Sequence, residues 1–214
     1  MNAIARLTAT EATRAALTAD AAAILRTAVA MQGPPALANT RDHAAHHEAG
    51  HAIQHAAEGH HVLGVGVYRR GADWLGGVTV AGPGWRIDSD TDPRADLVRA
   101  RVLLAGPLAE WLHCASPALG AGVDEIALAR GIVASVACKL SIDPEALHTR
   151  TVCEVIETFA CHRHAFNGLA AALMVHRKVK GFQLLRLLEN GGMVNPPGVA
   201  RCGQASLKQP TRII

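Results

Sequence analysis

Aromatic residues make up only 3% of this 214-residue chain. That scarcity argues against a sheet-rich core filled by rings, and the recurrent alanine and leucine suit close-packed helices instead. An excess of one charge is also lacking: 21 Lys and Arg stand against 18 Asp and Glu, interspersed and without a basic stripe, so a nucleic-acid partner is not expected. The five cysteines (Cys114, Cys138, Cys153, Cys161, Cys202) are odd in number and contain no Cys-x-x-Cys pair. Neither a disulfide framework nor a thiolate metal site is suggested, and reduced, mostly buried thiols are expected. No run of about 18 apolar residues occurs, which speaks against a membrane span. Arg6, Glu11, Arg14, Asp20 and Arg26 interrupt the alanine-rich beginning wherever a signal-peptide core would have to lie. The expectation is a soluble, cytoplasmic, mainly α protein with one ordinary domain.

Turn and cap signals divide the chain. Residues 3–31 read as a helix ended by Gly33-Pro34-Pro35, so residues 1–40 form a helical extension and linker. A second helix is predicted from Asp42 to about Gly59, followed by a hairpin of Val62–Tyr68 and Trp74–Val80. Asp92-Pro93 starts a helix carrying Leu97, Leu104, Leu108 and Leu112, which Pro107 should kink. Residues 116–122 read as a loop, with Asp124 opening the next helix. Asp143-Pro144 starts helical sequence to about Val179, and Gly181 separates a last helix, Phe182–Glu189, ended by Gly191 and Gly192. The domain thus spans 41–192, and residues 193–214 read as a flexible tail.

The chemistry concentrates in His47-Glu48-Ala49-Gly50-His51, an H-E-x-x-H motif on the second predicted helix. Residues four apart differ by about 40° around a helix, so both imidazoles can reach one zinc ion. Glu48 lies about 100° from His47, beside the ion instead of on it, where it can act as general base toward a water held by the metal. His55 continues the series but drifts a further 40° or so, and is expected to be solvated. A catalytic zinc needs a third protein ligand, and Glu110, His113 and Asp124 are the candidates that spacing leaves open.

Four ordered segments resemble the peptidase domain of the FtsH-type zinc proteases. They are HHEAGHAI (46–53), VGVYRRGADWLGGVTV (65–80), LLAGPLAEWL (103–112) with GAGVDEIALAR (120–130), and LAAALMVHRKVKGFQLLRLL (169–188). The resemblance covers about residues 42–190. It implies a helical fold with a small antiparallel sheet and the motif on a helix, zinc held by His47, His51 and Asp124, Glu48 as the catalytic residue, and Glu110 near the site without being a ligand. The chain departs from the family at Val123, where asparagine is usual, and at Gly106-Pro107 in place of Gly-Arg. No G-x-x-x-x-G-K-[ST] loop is present, so ATP dependence is not implied. The expected activity is hydrolysis of unfolded or flexible protein segments, with a separate unfoldase or adaptor as a possible partner. The alternative is a catalytically inactive zinc-binding adaptor of the same fold.

Overall fold

A computed structural model describes residues 11–30, 40–82, 92–114 and 119–193; the expected tail lies outside these, apart from Met193. The described residues form seven helices and three strands: α1 Glu11–Ala30, α2 Arg41–Ala57, β1 Val62–Arg70, β2 Asp73–Val80, α3 Pro93–Cys114, α4 Leu119–Leu140, α5 Pro144–Cys161, α6 Arg163–His176, β3 Lys178–Lys180 and α7 Gly181–Asn190. The protein is therefore mainly α with a small antiparallel sheet, as expected. No described helix is long and apolar enough to cross a membrane.

The motif helix α2 is the axis of the fold. Thr40 caps its start, taking the His43 amide on its hydroxyl at 3.2 Å while the His43 ring faces the Thr40 amide. Every residue from Ala44 to Ala56 is buried, although the segment contains four histidines, Glu48 and Gln54. Burying polar groups is costly unless each has a partner, so this composition at the centre of the molecule already marks a site. α3 crosses α2 closely because Gly50 faces Ala105 and Ala109: a Cβ on Gly50 would lie 2.6 Å from that of Ala109. Arg101 of α3 grips Glu58 at the end of α2 at 2.6 Å and Glu154 of α5 at 2.9 Å.

The hairpin packs on α2, and the strand order β2-β1-β3 leaves β2 at an edge. Val65, Val67 and Arg69 pair with Val78, Gly76 and Trp74, so these residues and their β2 partners share the face toward the core. β3, in register with Gly64–Gly66, is an addition to the predicted hairpin. Three further expectations are corrected. α4 begins at Leu119 and not at Asp124, the long predicted helix from residue 144 breaks at His162, and the described cysteines Cys138 and Cys161 are exposed, with Cys153 half-buried, instead of mostly buried.

The N-terminal helix α1 docks on α4 and α5 through Leu17, Ala21, Ala22 and Leu25. Beneath it, His148 is buried with neither ring nitrogen hydrogen-bonded. Burial first, and then the Arg130 and Arg26 cations against the opposing Glu145, bring its pKa down to about 4. The fold therefore holds this imidazole neutral while the unfolded chain, with its ordinary value near 6.5, takes up a proton. Stability from this group is complete above pH 6.5 and lost as the pH falls toward 4, by up to about 3 kcal/mol. Thermal unfolding at pH 7 and pH 4.5 should show a smaller acid-induced drop in Tm for His148→Leu than for the wild type.

Candidate metal centre

His47 and His51 project from one face of α2 with their rings 72° apart, and each is oriented by a hydrogen bond on its far nitrogen. His47 Nδ1–H donates to Glu110 Oε1 at 2.5 Å, and His51 Nδ1–H donates to the Val102 carbonyl at 2.8 Å. With both Nδ1 atoms acting as donors, a neutral ring has only a lone pair left on Nε2. The two Nε2 atoms nevertheless face each other at 2.9 Å. Two lone pairs at that distance repel unless a proton or a metal cation lies between or beside them.

The third corner comes from α4. Glu125, and not Asp124, turns inward: its Oε2 lies 3.1 Å from His47 Nε2 and its Oε1 3.3 Å from His51 Nε2. Asp124 is exposed, so Glu125 and not the expected Asp124 is the carboxylate beside the two imidazoles. A tetrahedral ion with bonds near 2.05 Å separates its ligand atoms by about 3.3 Å, close to these spacings. Three further observations fit an ion here. Glu125 Oε2 is buried without a hydrogen bond. Gly106 of α3 leaves the space beside the imidazoles clear, since a Cβ there would collide with both Nε2 atoms. The charges also complement a cation. Burial opposes charge on both imidazoles, but Glu125, aided at His47 by Glu110, raises the pKa of each, that of His47 well above its ordinary value. The two rings in turn hold Glu125 far below the usual carboxylate range despite its burial. His47, His51 and Glu125 therefore form a buried group that could hold a metal ion.

Glu110 lies behind His47, on the ring nitrogen turned away from Glu125. Such an outer partner fixes ring orientation and basicity, and losing one typically costs about 10–100-fold in metal affinity. Chelator competition should register a loss of that size for Glu110→Ala.

Glu48 is buried next to this group without being part of it. It packs against β2, where a Cβ on Gly76 would come within 2.6 Å of its carboxylate. Burial raises its pKa, the two imidazoles draw it back, and Glu125 and Glu110 add to the rise.

His46, His55 and His113 lie outside this group. His55 is buried and not solvated as expected. Its Nδ1 lies 3.0 Å from His60 Nδ1, and burial, followed by His51 and His60, lowers its pKa to about 3. His113, the other open candidate, lies away from the motif ligands: its Nε2–H donates to Asp42 Oδ2 at 2.7 Å. His46 stacks on it at 3.4 Å and 11°. Asp42, His46 and His113 make a second group with metal-binding residue types. The two stacked rings hold their nitrogens in nearly parallel planes, whereas the rings of His47 and His51 are steeply inclined to each other. The stack reads as a hydrogen-bonded clasp between α2 and α3.

No protein-family model matches the chain, and no curated protein matches it in sequence.

Proposed function

We propose that this protein is a zinc-dependent endopeptidase related to the FtsH-type peptidase domains, acting on unfolded or flexible protein segments. The observation that carries the reading is the convergence of two oriented Nε2 lone pairs and the Glu125 carboxylate, with the buried Glu48 carboxylate beside them and outside the ligand set. Two imidazoles and one carboxylate are a donor set of catalytic zinc, and three protein ligands leave a position open. A site serving structure alone has no need of the additional acid.

Bound zinc supplies a Lewis acid that polarises the scissile carbonyl and makes water acidic near neutral pH. The chain supplies the rest. Glu48 takes a proton from the attacking water and returns it to the leaving amine. Glu110 and the Val102 carbonyl keep the two rings from turning. β2, an edge strand passing directly over Glu48, suits a substrate segment laid alongside as an added strand. Free cysteines fit a reducing, cytoplasmic setting.

The test compares zinc content and hydrolysis of an unstructured protein such as casein between wild type and Glu48→Gln. Retained zinc with lost hydrolysis is expected. A wild type that binds zinc and cleaves nothing would favour an adaptor of the same fold.

A further inference from the structure

Two arginines meet on one tryptophan beside the site. The Arg41 guanidinium lies 5.5 Å and that of Arg177 5.3 Å from the centre of the Trp74 ring. Arg41 opens α2, Trp74 lies near the start of β2, and Arg177 ends α6. Trp74 shares its strand face with Gly76, against which Glu48 packs, and two strand residues span about 7 Å. The cluster therefore sits one or two substrate residues from the reacting centre.

Neither guanidinium has a carboxylate partner among the described residues. Arg41 donates through Nη2 to the Leu173 carbonyl at 3.0 Å, capping α6, but its Nε is buried without a partner. Arg177 is exposed, and its side chain makes no hydrogen bond or ion pair among the described residues. Both guanidinium carbons lie over the Trp74 ring, and the N–H fork of the exposed Arg177 is open to a carboxylate.

Arg177 also occupies a costly backbone position. Its φ is +59°, left-handed, at a helix C-cap where glycine is the usual residue. Its carbonyl accepts the Val67 amide at 2.7 Å, a role that any residue could fill. The backbone thus gives no reason for arginine there, and the side chain must supply one.

We propose that Arg41, Arg177 and Trp74 form a subsite for a carboxylate of the bound peptide, either an acidic side chain or the chain's C terminus. This rests on the peptidase reading, since the ligand is taken to lie along β2 past Glu48. The subsite confers a preference for acidic substrates.

The experiment uses the full chain loaded with zinc and carrying Glu48→Gln to prevent turnover. Fluorescein-labelled octapeptides of alanine, serine and valine carry one Glu, or Gln at the same place, moved along the sequence, each with a free or amidated C terminus. Fluorescence polarisation should give about tenfold tighter binding for Glu than Gln at one position, or for the free over the amidated terminus, which tells the two sources apart. The advantage should shrink as salt rises. Arg177→Gly should abolish it while keeping or raising the thermal midpoint, because glycine relieves the left-handed strain. Arg41→Gln, which also loses the α6 cap, should reduce it with some loss of stability. Equal binding of the twins throughout, no binding of any peptide, or an advantage that survives Arg177→Gly would overturn the subsite. If the preference is found but protein with Glu48 intact cleaves none of the peptides, the subsite stands and the peptidase reading falls.

Discussion

Glu125→Ala should empty the metal centre, whereas Asp124→Ala should leave it filled. The Glu125 carboxylate is the only acidic group within 3.3 Å of both Nε2 atoms among the described residues, and it is the anion that raises both imidazole pKa values. Removing it leaves two neutral nitrogens as the only protein ligands in a buried site, where a divalent cation has lost its water and gained no charge to replace it. The loss of affinity should exceed the 10–100-fold or so expected when an outer partner such as Glu110 is removed. Asp124, exposed one position earlier, should cost nothing measurable. Metal analysis after dialysis and titration against a chromophoric chelator would separate the two variants. Equal metal content in Glu125→Ala and wild type would remove this carboxylate from the ligand set.

Two of the three candidate ligands were legible in the chain. His47 and His51 could be read at once because their spacing acts locally: one turn of helix brings both rings to one side, whatever the rest of the fold does. Glu125 depended on where α4 begins. Reading residues 116–122 as a loop made Asp124 the first residue of the helix, with Glu125 pointing anywhere. With α4 starting at Leu119, the buried stripe of Ile126, Ala129, Val133 and Val136 sets the phase. Glu125 lies one turn before Ala129 on that stripe, while Asp124 lies one turn before the exposed Leu128. The phase was present in the sequence, but the resemblance pointed to Asp124, and a helix boundary displaced by five residues left that choice unchecked.

Other misses have different causes. β3 is three residues long, with one buried valine between two exposed lysines, and exists because β1 offers it an edge. No periodicity can announce such a strand. The break at His162 involves neither glycine nor proline, and it lets α6 pack on α2, a contact that local punctuation does not announce. The burial of α2 was hidden for a related reason. A helix rich in histidine looks solvated until its partners are known, and those partners, Glu110, Val102 and His60 among them, are as many as 63 residues away.

Glu48→Gln should reduce hydrolysis by about 10²–10⁴-fold, the usual contribution of a general base, with zinc content unchanged. Glutamine keeps the size and shape of the side chain, so the contact with Gly76 and the packing of β2 over α2 should persist. Its amide cannot take the proton. The ion should be indifferent to the change, because the ligand triangle of His47, His51 and Glu125 excludes Glu48. This separation gives the variant its force: loss of the third ligand removes metal and activity together, which any metal-dependent process would show, whereas loss of the base removes only turnover. Cleavage of casein, followed by release of acid-soluble peptide and paired with metal analysis of the same samples, measures both quantities. Undiminished hydrolysis by Glu48→Gln would mean that the buried carboxylate beneath β2 has another task. Lost hydrolysis with a full complement of zinc would place proton transfer at Glu48, within reach of a segment lying along the β2 edge.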